Sequence, residues 1–420
     1  MPVEEIIVGR EPHDIEKYKK TGTMYVGKHV VGKGYESHLT NPVLMDALRP
    51  HIMLIVGKRG SGKSYTGAVI AEEIMGLPED VRKNLSCLMI DTMGIYWSMK
   101  NPNEKDIEIL SKWDLKPKTY VTNNIIPIGL VDRYDKAGIS YDGTFALRPS
   151  DLSAGDWGLT FGFDLISPLG ILLERTIKKL QGKEYTIRDV INEIEKDERS
   201  ELKERLALQN RFIAAEGWGI FSQTATKIEE ILKPGEATVL DVSMMDWNVR
   251  NLLVGVLSTE LYQARVTARR AEEMGMMSGE AIKRIPMTWL IMDEAHNFLP
   301  AEGETAATHG LIILVTMGRQ PGISCVFITQ RPNKLHETAI AQADLVISHR
   351  LTAKPDLDAL SAIMQTYMLE DIRKSITNLP KTKGSALVLD DNSERLFNIQ
   401  IRPRFSWHAG GSPLATAEKI

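Results

Sequence analysis

Gly57-Lys58-Arg59-Gly60-Ser61-Gly62-Lys63-Ser64 follows the apolar run Ile52-Met53-Leu54-Ile55-Val56 and precedes Tyr65-Thr66-Gly67-Ala68-Val69-Ile70-Ala71-Glu72-Glu73-Ile74-Met75. A glycine, four residues, then Gly-Lys-Ser, set between a strand-like and a helix-like run, is the pattern of a phosphate-binding loop. The glycines let the backbone curl until several N–H groups point at one set of phosphate oxygens, and a Cβ at Gly57 or Gly62 would obstruct that approach. Lys63 supplies a mobile positive charge for the β and γ phosphates, Ser64 a hydroxyl for Mg²⁺, and the N-terminus of the following helix favours the anion further. Contacts to ATP or another nucleoside triphosphate are expected from Gly57, Gly60, Ser61, Gly62, Lys63, Ser64 and Tyr65.

The 420-residue chain can bury a large core and is long enough for two or three structural units. Its 43% hydrophobic and 25% charged residues are ordinary for a soluble globular protein. No uncharged apolar run approaches the roughly 18 residues of a membrane span. The start, Met1-Pro2-Val3-Glu4-Glu5, lacks a basic region leading into an apolar stretch, so no secretory leader and a cytoplasmic location are expected. Cys87 and Cys325 both lie in apolar, strand-like runs and read as buried small hydrophobes in a reducing compartment. A formal net charge of −4 gives no global pull toward nucleic acid. It leaves DNA binding open, because a ring or channel protein gathers its cations on one surface.

Alternation of apolar runs with helix-like stretches predicts an α/β core with a parallel sheet covered by helices. Residues 1–50 are polar and glycine-punctuated, with a short strand expected at Thr23–Val26, and read as an N-terminal appendage. The core is expected over 51–167 and again over 233–403, with a tail at 404–420. Between its halves, residues 168–232 carry apolar positions at helical spacing and dense mixed charge, and read as a helical insertion. Thr186 is the expected N-cap of a helix over 187–197, and Gly182 the stop of the helix before it. Strands are expected at 87–90, 121–129, 237–243, 289–292, 324–329 and 345–348, a long helix over 248–273, and a loop over 274–286. Ser385–Leu389 and Leu396–Ile401 are expected to close the sheet at one edge.

Trp289-Leu290-Ile291-Met292 runs into Asp293-Glu294. An Asp at a strand's C-terminal end holds Mg²⁺ through its water shell, and a neighbouring Glu polarises the attacking water. Ligands of open α/β sheets lie beyond those strand ends, which pairs this segment with the phosphate loop. The strand ending in Thr329-Gln330-Arg331-Pro332 would set the Gln330 amide beside the γ phosphate. Asp91 ends a strand too, where a carboxylate equally well caps the following turn. Positive charge on the transferring phosphoryl group is expected from Arg319, in the turn Gly318-Arg319-Gln320-Pro321-Gly322, reaching across a subunit interface, with Arg350 as the alternative. The tetrapeptide Asp293-Glu294-Ala295-His296 also occurs in two-lobed helicases, but the chain beyond it is too short for a second lobe, and His296 reads as a local packing or hydrogen-bonding residue.

The phosphate loop, Ile90-Asp91-Thr92-Met93-Gly94, Asp293–Leu299, Gly318–Gly322, Thr329–Pro332 and Arg402-Pro403-Arg404-Phe405-Ser406-Trp407-His408, taken in order, resemble the HerA branch of the HerA/FtsK superfamily over roughly 50–410. That resemblance implies a RecA-like core of the additional-strand catalytic-glutamate type, a hexameric ring with ATP between subunits, and double-stranded DNA in the central channel. It places Arg319 where the family uses a trans-acting arginine. Archaeal members dock a nuclease, NurA, on an N-terminal β-barrel larger than the 50 residues present here, and carry an acidic residue where this chain has Ile95-Tyr96. The expectation is an ATP-driven DNA translocase or helicase with Glu294, Lys63, Arg319 and Gln330 catalytic and Ser64 and Asp293 on the metal, acting in end processing or defence with a nuclease partner. The alternatives are a secretion, conjugation or genome-packaging ATPase and a nucleotide-dependent ring scaffold.

Overall fold

Every residue of the apolar runs at 52–56, 85–91, 237–241, 323–329 and 345–349 is buried. Continuous burial, rather than alternation, marks parallel strands covered on both faces. The computed structural model describes residues 5–32, 37–278, 285–363, 375–376 and 378–411. In that span one sheet contains β1 (Ile6–Val8), β2 (Thr23–Val31), β3 (His38–Asp46), β4 (Ile52–Val56), β5 (Leu85–Asp91), β6 (Thr122–Pro127), β7 (Gly143–Phe145), β8 (Ala237–Asp241), β9 (Met287–Met292), β10 (Ile323–Thr329), β11 (Leu345–His349), β12 (Ser385–Asp390) and β13 (Arg395–Ile401). Their spatial order is β1-β3-β2-β13-β12-β11-β4-β10-β9-β5-β8-β6-β7.

From β11 to β7 all neighbours are parallel. Strand β10 lies between β4, which leads into the phosphate loop, and β9, which leads into Asp293-Glu294. This is the additional strand of a RecA-like core. The two-residue period of a strand divides the core between the sheet's faces. Leu54, Val56, Leu88, Ile90, Leu290 and Met292 face the long helix Trp247–Ser278 and the helix Thr308–Met317. Met53, Ile55, Met89, Ile291, Val326 and Ile328 face the helix Lys63–Gly76.

Strand β13 is not the edge expected of it. Gly27–His29 of β2 pair antiparallel with its Ile399–Ile401, and β3 and β1 continue the sheet. The stretch read as an appendage thus supplies three strands to the main sheet. The loop expected over 274–286 is helical as far as Ser278. Met and Glu, good helix formers, outweigh the roughly 1 kcal/mol that Gly275 costs. Residues 279–284 lie outside the described residues, and the expected tail is described as far as Gly411.

Residues 168–232 fold as the helices Pro168–Leu180, Ile187–Glu195, Leu202–Glu216 and Ile228–Ile231. Thr186 caps the second of these, its hydroxyl taking the Asp189 N–H while the Asp189 carboxylate takes the Thr186 N–H. Gly182, at φ +81°, follows the end of the first. Trp157, fully buried, holds this unit together through Phe212 at 4.9 Å and Phe161 and Phe221 at 5.4 Å between ring centroids.

Candidate active site

The phosphate loop is held from both sides by backbone. Lys58 N–H donates to the Arg350 carbonyl at 3.0 Å, at the end of β11, and Gly384 N–H, just before β12, donates to the Ser61 carbonyl at 3.2 Å. Gly62 takes φ +114°, a conformation that a Cβ disfavours. At Gly57 a Cβ would lie 2.6 Å from the Cβ of His349. His349 therefore forms the floor of the loop. It is fully buried, its Nδ1 lies 3.1 Å from the Ser385 carbonyl oxygen, and burial pushes its pKa down to about 4. A carbonyl only accepts, so Nδ1 carries the proton of the neutral ring and Nε2 accepts the Thr66 hydroxyl at 2.9 Å. Thr66 belongs to the first turn of the helix Lys63–Gly76, so this bond pins the helix start to β11 and β12.

Opposite the loop, Ser64 Oγ donates to Asp293 Oδ2 at 2.5 Å, and Asp293 Oδ1 accepts the Glu294 N–H at 2.8 Å. The Tyr96 hydroxyl lies 3.4 Å from the same Asp293 oxygen and 3.3 Å from the Ser64 carbonyl. Burial raises the Asp293 carboxyl, against the hydrogen bond from Ser64. Burial also lowers the Lys63 ammonium, against the pull of Asp293 and Glu294, and Lys63 Nζ donates to the Lys58 carbonyl at 3.3 Å. Glu294 is in left-handed backbone, φ +51° and ψ +41°. For a non-glycine residue that costs on the order of 1–3 kcal/mol, strain of the kind that collects at functional sites. Its carboxyl is raised by burial and then by Asp293, and lies 3.5 Å from Gln330 Nε2. His296 is the hydrogen-bonding residue expected, with Nδ1 3.0 Å from Thr329 Oγ1.

Lys63, Ser64, Asp293, Glu294 and Gln330 thus converge at the C-terminal ends of β4, β9 and β10. Asp91 does not join them. Its carboxylate accepts the N–H groups of Met93, Gly94, Ile95 and Tyr96 at 2.7–3.1 Å and so caps the turn after β5. Burial and the neighbouring Asp241 push it up to about 7. That turn delivers Tyr96 to Asp293. Arg319 precedes β10 whereas Gln330 follows it, which puts a strand of seven residues, about 20 Å, between them. Its side chain is 66% exposed, 3.8 Å from Glu11. Tyr65 faces away from Asp293, its hydroxyl accepting the Arg404 N–H at 2.6 Å and its ring meeting His408 edge-on at 5.2 Å.

Three contributors were missed in the sequence. Tyr96 and His349 touch Asp293 or the loop, and Glu72, fully buried, receives Arg402, Arg404 and the Phe405 and Ser406 N–H groups, anchoring the C-terminal segment on the phosphate-loop helix. Only His349 left a trace, a polar residue closing the apolar run Leu345-Val346-Ile347-Ser348.

The residues fit a nucleotide and a hard divalent cation. Ser61 Oγ is buried with no hydrogen-bond partner among the described residues, in the middle of the glycine cradle. Ser64 and Asp293 offer a hydroxyl and a carboxylate on adjoining elements, the sparse oxygen set with which a protein holds Mg²⁺ while substrate and water supply the rest. No cluster of three His, Cys, Asp or Glu side chains among the described residues offers a denser metal site.

The chain is 24% identical over 361 residues to the DNA double-strand break repair helicase HerA of Pyrococcus furiosus, covering 80% of this chain and 62% of that protein. It is 22% identical over 374 residues to the protein of the same name from Saccharolobus solfataricus, covering 86% and 64%. The matches thus span less than two thirds of those relatives. Among solved structures, VirB4 of Thermoanaerobacter pseudethanolicus superposes with a TM-score of 0.54 at 14% identity, over 91% of this chain and 97% of that one, which establishes a shared fold. The family model described as "Helicase HerA, central domain" matches residues 26–261, more than half of the chain and including the whole phosphate loop, and the chain belongs to that family.

Proposed function

We propose that this protein is a Mg²⁺-dependent ATP hydrolase that moves double-stranded DNA, working as a ring of copies, hexameric by family resemblance, with nucleotide held between neighbours. The observation that carries the proposal is the Ser64–Asp293 hydrogen bond set beside the Glu294–Gln330 pair, at the mouth of a glycine loop with an unpaired Ser61 hydroxyl. Backbone N–H groups of the loop and the Lys63 ammonium bind the phosphates. Ser64 and Asp293 would hold Mg²⁺, which would supply positive charge against the phosphates. Glu294 takes the proton that the attacking water gives up, its raised carboxyl suiting a base near neutral pH, and Gln330 orients that water and Glu294 together. Arg319 acts on a neighbour's nucleotide. Duplex DNA as the track is supported by the names of the relatives, DNA double-strand break repair helicases, and a nuclease that processes the same DNA ends is the partner proposed for such a motor.

The test is ATP turnover with and without linear duplex DNA, alongside Glu294→Gln. Stimulation by the duplex is expected, and contacts to its phosphates should make that stimulation fall with salt. Glu294→Gln should bind ATP as the wild type does while turnover falls by about 10²–10⁴. A basal rate indifferent to DNA, with a variant that still hydrolyses ATP, refutes the proposal.

A further inference from the structure

A cleft of about 750 Å³ opens directly off the phosphate loop, with Gly60, Gly62, Lys63 and Ser64 forming one end of it. Its volume is in the range of about 300–1,000 Å³ that small-molecule sites occupy. Away from the loop the walls become apolar and aromatic. Tyr65 leads in from the phosphate end, Trp113 and Ile109 form one side, Leu39 of β3 another, and Pro403 and His408 come from the C-terminal segment. Segments remote in sequence therefore meet here, and buried charge holds them. Arg402 and Arg404 on Glu72 fix the stretch that carries Pro403 and His408.

Trp113 is placed rather than merely left over. It follows the short helix Ile107–Ser111, and the next residue, Asp114, turns the chain back in left-handed backbone at φ +57°. The Leu115 N–H then returns to the Leu110 carbonyl at 3.0 Å. Lys28 Nζ lies 5.2 Å from the centre of the Trp113 ring, and the indole is only half-buried. A half-buried tryptophan, an imidazole and a phenol around a cleft whose floor is a phosphate loop suit a flat heteroaromatic ligand with phosphates at one end. Two polar side chains on the cleft, Gln400 and Tyr65, already have hydrogen-bond partners. Gln400 donates to the Lys383 carbonyl and accepts from Ser385, both at 2.8 Å, and the Tyr65 hydroxyl holds the Arg404 N–H. Ring-face contact is one way to grip a base, and stacking on an aromatic side chain is worth about 1–3 kcal/mol.

We infer that this cleft is the nucleoside subsite, taking the base and ribose of the bound nucleotide, with Trp113 as a stacking wall and Tyr65 and His408 lining the ribose end. The inference rests on the nucleotide-binding reading and deepens it by assigning the part of the ligand that the loop does not touch.

Calorimetric titration with ADP and with pyrophosphate separates the two ideas. The wild type should bind ADP at least about tenfold more tightly than pyrophosphate, given a stacking gain of about 1.4 kcal/mol or more. Trp113→Ala should lose about tenfold in ADP affinity with pyrophosphate unchanged, and Trp113→Phe should keep most of the difference, since a phenyl ring still stacks. ADP affinity unchanged in Trp113→Ala overturns the inference while leaving the phosphate-loop reading intact. Failure of the wild type to bind either ligand, or binding that survives Lys63→Ala undiminished, overturns the phosphate-loop reading itself. Photolabelling of wild-type protein with 8-azido-ADP needs no variant to fold. Adducts within the cleft-lining stretches 37–39, 105–118, 380–384 or 400–411 support the subsite, and adducts confined elsewhere overturn it.

Discussion

His349 and Thr66 share a single proton between β11 and the phosphate-loop helix, and both are buried. Replacing Thr66 by Val keeps the shape and strands the Nε2 lone pair, at a cost of about 1–3 kcal/mol. His349→Ala removes the other end of the same bond. The two changes should therefore be strongly non-additive in a double-mutant cycle read by urea unfolding, and additive losses would mean that the bond contributes nothing. Such pairs also show what a sequence hides. The phosphate loop was legible because its backbone demands fall on contiguous residues, and Asp293-Glu294 because they end an apolar run. Thr66 and His349 lie 283 positions apart, and Tyr96 and Asp293 lie 197 apart, so neither contact leaves a local pattern. Asp91 shows the converse: a strand-end carboxylate looks the same in sequence whether it serves a ligand or caps a turn with four N–H groups.

At the scale of elements, the buried parallel strands could be read as continuous apolar runs, and the helical insertion by its spacing and the Thr186 cap. The far edge could not, because β13 and β2 join through backbone hydrogen bonds that any residue makes. What fixes that edge to the core is a buried ionic cluster at the entrance to β4. His51 Nδ1 lies 2.6 Å from Asp344 and Nε2 3.4 Å from Asp46, whose other oxygen receives Arg10 Nε at 2.6 Å. Burial lowers the imidazole pKa, yet the hydrogen bonds and charges of Asp344 and Asp46 prevail and raise it from 6.5 to about 9. A base whose folded pKa is raised contributes stability that is fully present below 6.5 and lost as pH rises through about 9. Asp91 and Glu260, both raised to about 7, shed stability earlier in the same direction. The urea midpoint should therefore keep falling between about pH 7.5 and 9.5, and His51→Asn should flatten that part of the profile while leaving the earlier fall. An identical slope in the variant would remove His51 as its cause.

In the function proposed, the molecule would present half of a catalytic site at each of two places. Lys63, Ser64, Asp293, Glu294 and Gln330 lie at the C-terminal ends of the strands, while Arg319 stands exposed at the entrance of β10, too far to reach its own phosphate loop. Under that proposal a head-to-tail contact between copies would bring the two halves together and, repeated around a rotation, would close a ring. Arg319→Ala should then bind nucleotide normally and lose turnover by about 10³-fold or more, the usual effect of withdrawing an arginine from a transferring phosphoryl group. Lys63→Ala should lose turnover from the other side. Mixed in equal amounts and allowed to exchange subunits, the two inactive proteins should recover activity. An interface that pairs the intact loop of an Arg319→Ala copy with the intact arginine of a Lys63→Ala copy is complete, and random assembly makes about one interface in four of this kind. Recovery should depend on total protein concentration, because it requires the ring. An Arg319→Ala protein that hydrolyses ATP at the wild-type rate would transfer the role to Arg350, at the end of β11, where the backbone already holds the loop in the same chain. Turnover in that case would not need a neighbour's Arg319, and dilution to the monomer would leave it intact.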